Sequence, residues 1–147
     1  MGMIQPPPPV KYLFGVLAVR EDLFPGTRKR LEENFGVIDL ESPVYPFAHT
    51  RYYEKEMGFP LWRRFYTLET LQSPERLVAM KIRTNQLEQE MAQEASARGP
   101  APARPVNLDP GYLEESKLVL ASTKNFSHRI YLSDGIYAEV TLQYRKG

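Results

Sequence analysis

The sequence contains no cysteine. Disulfides, thiolate zinc sites, iron–sulfur clusters and cysteine nucleophiles are excluded together, and a reducing compartment suits such a chain. A dominant charge is missing as well: 19 Lys and Arg stand against 18 Asp and Glu, for a net charge of +1. That balance supplies no overall field for gripping a nucleic-acid backbone or an anionic membrane. No apolar run approaches the roughly 20 residues needed to span a bilayer. Histidine occurs only as His49 and His128, without the H-x-x-x-H or H-x-H spacing of a ligand pair, so no metal site is expected. There is no P-loop, no G-x-G-x-x-G and no G-x-S-x-G, and no cofactor is expected. The opening Met1-Gly2-Met3-Ile4-Gln5 lacks the basic and apolar regions of a signal peptide, and Pro6 stands where myristoylation would want Ser or Thr. The expected location is cytoplasmic.

What is present reads as one folded unit. With 42% hydrophobic and 25% charged residues over 147 positions, the chain can bury roughly 70% of the surface its unfolded form exposes. Residues 1–9 form a Pro-rich leader, and residues 10–147 a single α+β domain with a flexible linker at 96–105.

Apolar residues on both alternating faces from Lys11 to Val19 predict a central strand. Asp22 and Pro25 start a helix that buries Phe24, Leu31 and Phe35 and stops at Gly36. Val37 to Tyr45 alternates as a half-buried strand, with Ile38 and Leu40 inward, and Leu61 to Glu69 is an aromatic strand. Ser73-Pro74-Glu75 opens a second helix, whose Leu77, Met80, Thr84, Leu87 and Met91 make one core-facing stripe. Val106 to Leu108 reads as a short strand closed by Asp109-Pro110-Gly111-Tyr112, a type II turn pattern. Leu113 to Thr123 leans to helix. Arg129 to Leu132 and Ile136 to Tyr144 form a hairpin. A three-residue loop with Gly135 left-handed pairs Leu132 with Ile136, Ile130 with Ala138, Tyr131 with Tyr137 and Arg129 with Glu139. The order implies a ferredoxin-like βαββαβ sandwich with a C-terminal β-hairpin extension.

Several strings carry a family resemblance. Tyr52-Tyr53-Glu54-Lys55-Glu56-Met57-Gly58, Asn107-Leu108-Asp109-Pro110-Gly111-Tyr112 and Lys117-Leu118-Val119-Leu120-Ala121 are three of them. Together with His128-Arg129-Ile130-Tyr131-Leu132 and Asp134-Gly135-Ile136-Tyr137-Ala138-Glu139-Val140, they resemble an uncharacterised prokaryotic family, domain-of-unknown-function family 4416, over roughly Val10 to Gly147. The resemblance implies no activity. It expects an acid where Arg51 precedes the Tyr-Tyr pair, and an aromatic, proline-containing tail after the last strand.

Polar residues that strand and helix chemistry leaves unexplained mark the candidate site. His128, Asp109 and Glu139 are the acid–base candidates. His49, Arg51, Tyr52, Tyr53, Lys124, Arg129 and Tyr131 are the ligand-binding candidates, with cationic donors and aromatic surface suited to phosphate or carboxylate. Several have a plainer reading. Asp109 can simply open a turn, Arg129 and Glu139 can simply pair across strands, and His128 falls on the apolar side of the hairpin as a buried structural histidine. Arg28-Lys29-Arg30 reads as a solvated helix face, and Arg63-Arg64 beside Trp62, Phe65 and Tyr66 as a faint RNA-binding pattern without the RNP spacing. The expected function is binding, with or without catalysis, of a small anionic or nucleotide-like compound. The alternative is an RNA-binding or self-associating module with an aromatic sheet face, nucleic acid being the less favoured partner.

Overall fold

Strand β1 (Lys11–Ala18) organises the molecule. Its residues Tyr12, Phe14, Val16 and Ala18 are wholly buried on one face, and Leu17 is wholly buried on the other. That is why the segment reads as apolar on both alternations. In the computed structural model, which describes residues 1–48 and 53–147, β1 pairs antiparallel with β4 (Leu61–Leu68) and with β5 (Val106–Leu113). Outside β4 lie β2 (Ile38–Glu41) and β3 (Tyr45–Phe47). Beyond β5 come β6 (Lys117–Ser122), β8 (Ile136–Gln143) and β7 (Arg129–Ser133). The described residues thus form an α+β protein with an eight-stranded sheet, ordered β2-β4-β1-β5-β6-β8-β7 with β3 beside β4, every pairing antiparallel.

Helices α1 (Phe24–Phe35) and α3 (Leu77–Ala97) cover one face. Phe24, Leu31 and Phe35 of α1 and Leu77, Met80 and Leu87 of α3 join Tyr12, Phe14, Tyr66 and Leu108 in the main core. Pro25 sits in the first turn of α1, and Gly36 ends it at φ 118°. Asp22 does not cap α1. A 3-10 turn over Glu21–Leu23 precedes the helix, and Asp22 pairs with Arg20 instead. Before α3, Ser73 Oγ accepts the Glu75 N–H at 3.2 Å, the cap its sequence announces. The helix continues through Ala97, so it takes in the start of the segment expected as a linker. The other sheet face carries a smaller cluster, in which Met57 of the short helix α2 (Glu54–Met57) packs on Leu17 and Leu61. Among the described residues no helix is long and apolar enough to cross a membrane.

Three further expectations change in the sheet. Leu40 is exposed rather than inward, because a register shift between Ile38 and Leu40 moves it off the face Ile38 occupies. The segment after Leu113 is not helical: the Glu114 N–H bonds the Lys117 carbonyl at 3.0 Å, and β6 returns beside β5. Its two faces, Leu118 and Leu120 against Val119 and Ala121, are both apolar, which hides the strand period. In the last hairpin the pairs Arg129↔Glu139, Ile130↔Ala138 and Tyr131↔Tyr137 form as expected, but Ile136 pairs with Ser133. Asp134 (φ 51°) and Gly135 (φ 79°) make a two-residue, doubly left-handed turn. The extra residue is absorbed as a register shift between Tyr131 and Ser133.

Candidate functional site

The site arises where the sheet parts. Strands β5 and β6 pair only at Gly111↔Leu120, Tyr112↔Val119 and Leu113↔Leu118. With Glu114 bonded to Lys117, alternation makes Tyr112/Val119 and then Pro110/Ala121 the positions that would exchange hydrogen bonds. Pro110 has no N–H to give, so the ladder ends there. Gly111 supplies the pivot, since a Cβ on it would lie 2.5 Å from the Val119 carbonyl oxygen. The Asp109-Pro110-Gly111-Tyr112 string is therefore not a type II turn. It runs inside β5, and its proline and glycine serve to bring β6 close and then let it diverge.

Between the parted strands, on the face away from α1, lies a cleft of about 500 Å³. At its floor is Lys81 of α3, only 7% exposed. Its Nζ is 3.6 Å from Asp109 Oδ1 and makes no hydrogen bond to another described residue. Asp109 Oδ2 accepts from Asn107 Nδ2 at 2.9 Å, and Asn107 Oδ1 accepts from Arg104 Nη1 at 2.8 Å. Arg104 Nη2 reaches Glu56 Oε2 at 2.6 Å, and its guanidinium lies 5.6 Å from the Tyr53 ring centre. Behind this row Glu88 accepts the backbone N–H of Leu108 at 2.6 Å, on the edge of β5 that β6 has left. Burial pushes the Glu88 carboxyl above its ordinary range, although the Leu108 N–H, Lys81 and Arg104 pull the other way.

The opposite wall comes from β6 and the last hairpin. Leu120, Ser122, Lys124, Arg129 and Glu139 line it. Glu139 Oε1 receives Arg129 Nε at 3.1 Å and lies 2.5 Å from His128 Nε2, while the Thr141 hydroxyl donates to Oε2 at 3.2 Å. Burial alone would raise this carboxyl, but the contacts from Arg129, His128 and Thr141 prevail and hold it below the usual range. Arg129 Nη1 also donates to the Lys124 carbonyl at 3.0 Å, which fixes the approach to β7.

Of the expected residues, Asp109, Glu139, Tyr53, Lys124 and Arg129 line this one cleft, and His128 is tied to it through Glu139. His128 is not buried: its side chain is 54% exposed, because it precedes β7 in a turn rather than continuing the strand face. Tyr131 does not line the cleft. It packs edge-on against Tyr137 and its hydroxyl accepts the Gly135 N–H, bracing the turn. His49, Arg51 and Tyr52 lie outside the described residues. Sequence reasoning missed Lys81, Glu88, Arg104 and Asn107. A signal for two of them was present, since Lys81 and Glu88 each follow directly on a residue of the apolar stripe of α3 and so stand beside its core-facing side. Among the described residues no group of three His, Asp or Glu could hold a metal ion.

Fold and site together describe an α+β protein whose antiparallel sheet is split by a charged cleft. The chain belongs to the family described as Domain of unknown function (DUF4416), whose sequence model matches residues 8–147. No curated protein and no solved structure matches it.

Proposed function

We propose that the cleft between β5 and β6 binds a small compound bearing a phosphate or carboxylate. The observation that carries this reading is Lys81: a nearly buried ammonium lining a cleft, with one carboxylate at 3.6 Å and no hydrogen bond to a described residue. An ammonium has three donors, and anionic oxygens are their strongest acceptors. Arg104, Lys124 and Arg129 bring the lining to four cations against the carboxylates of Asp109 and Glu139. A volume of about 500 Å³ suits a metabolite-sized ligand. His128 and Glu139 at the rim form the pair through which a proton would pass if the bound ligand reacts.

The reading is tested by thermal shift against nucleotides, sugar phosphates and small carboxylates, followed by titration of any hit. Lys81→Met and Arg129→Ala should each weaken binding by roughly tenfold or more, the worth of a charge-assisted hydrogen bond. Affinity unchanged in both variants would place the ligand elsewhere.

We further infer that β1, α1, β2, β4, α3 and β5 are a ferredoxin-like βαββαβ sandwich, extended by β6 to β8. The order β2-β4-β1-β5 and its antiparallel pairings support this. A second reading, self-association, rests on one feature of the open face. Leu113, Leu118 and Leu142 stand directly opposite one another across three strands, Leu113 and Leu142 being 49% and 64% exposed. Sedimentation of wild type beside Leu142→Glu checks it, a dimer lost in the variant being the expected result.

A further inference from the structure

We infer that the ligand of this cleft carries an N–H donor as well as its anion, and that the main-chain carbonyl of Ala121 receives it. The inference rests on the anion-binding reading above and refines it. The register of β5 and β6 directs the carbonyl of Ala121 towards Pro110. In an uninterrupted ladder the residue at position 110 would donate to that carbonyl, and proline alone among the residues cannot. Ala121 nonetheless lines the cleft while only 5% of it is exposed, so its acceptor is presented from within the wall. A buried carbonyl that its neighbour strand cannot satisfy is a strong preference for a donor from the ligand.

The surroundings extend the same pattern. The carboxylate of Asp109 lines the cleft on the residue before Pro110, and Ser122 lines it on the residue after Ala121. Acceptors therefore gather at the fork around the Lys81 ammonium, 3.6 Å from Asp109 Oδ1, whereas Lys124 and Arg129 stand on the wall beyond it. A ligand that fits has an anionic group within reach of these cations and an amino or amide N–H turned to the fork. Two classes of compound share that chemistry: α-amino acids and their derivatives, and nucleotides whose base bears an amino group. The nucleotide pair, which differs only by the amino group, separates the N–H requirement from the anion, and the amino-acid pair, which differs in charge as well, separates the sources.

The experiment titrates wild-type protein with glutamate against 2-oxoglutarate, and with adenosine monophosphate against purine riboside monophosphate. In one pair, the member with the N–H donor is expected to bind roughly tenfold tighter, the size of a single well-made hydrogen bond. Pro110→Ala returns a backbone donor to the Ala121 carbonyl, so the preference should collapse. Equal affinity within both pairs of wild type overturns the inference and leaves the anion site standing. Preference that survives unchanged in a folded Pro110→Ala protein overturns it too, because the donor then goes elsewhere. If neither pair binds at millimolar concentration, both the anion site and this refinement fall. The wild-type comparison stands whether or not the variant folds.

Discussion

A side chain at position 111 has nowhere to go: an added Cβ would meet the Val119 carbonyl oxygen and Leu120 Cδ2, each at 2.5 Å. Gly111→Ala should therefore lower stability by about 1–3 kcal/mol, the usual cost of overpacking, seen as a lower urea midpoint with unchanged slope. The two half-buried carboxyls of the site predict opposite pH effects. Burial raises Glu88, so its proton is held more tightly in the folded state. Its contribution to stability is full below the ordinary carboxylate range and is lost as pH rises through the raised value. Glu139 is lowered: its contribution is full above the ordinary range and is lost as pH falls through the lowered value. Denaturant melts at about pH 4 and about pH 7 should show Glu88→Gln gaining on wild type as pH rises, and Glu139→Gln losing ground over the same interval. Parallel curves for wild type and both variants would contradict these shifts.

At the scale of the element, the hairpin tests the turn. Gly135 at φ 79° is left-handed, and Gly135→Val should destabilise by about 1 kcal/mol or more, checked by thermal melting. The same hairpin shows what a sequence reveals. Its register was legible because it sets Ile130 against Ala138 on one face and Arg129 against Glu139 on the other, which keeps apolar and polar residues apart. The number of residues in its loop was not, because a bulge can absorb one residue without moving any of those pairs. Helix α3 was legible through its stripe and its serine cap, and α1 through Pro25 and Gly36. Strand β6 was hidden by apolar residues on both faces, and Pro110-Gly111 was read as a turn because that pair is far commoner in turns than in strands. The candidate site was half legible. Lys124, Arg129, Glu139 and Asp109 stood out as unexplained polar residues, while Lys81 looked like any lysine on an amphipathic helix. Arg104 lay in a segment rich in Pro and Ala, where no periodicity marks a buried side chain. Its contacts predict otherwise: Arg104→Ala should cost about 1–3 kcal/mol, measured by chemical denaturation, since it leaves the amide oxygen of Asn107 without its donor.

Across the whole molecule the sheet is not one mechanical body. Strands β4, β1 and β5 are joined by long ladders, six positions between β1 and β4 and eight between β1 and β5, whereas β5 and β6 meet at three. Val119, Ala121 and Ile136 still pack into the main core, so β6 to β8 are seated but lightly stitched. Such a boundary separates units that open with different free energies. Native-state hydrogen exchange should show amides of residues 129–143 exchanging together and before those of β1. The cleft straddles that boundary, with Lys81 and Arg104 on one bank and Lys124 and Arg129 on the other. A ligand touching both banks is therefore a bolt across this short seam of the sheet. Its binding energy would appear as a slowing of exchange in the last three strands as well as in a higher melting temperature. The short ladder that makes room for a ligand is thus also the part of the molecule that would register its arrival.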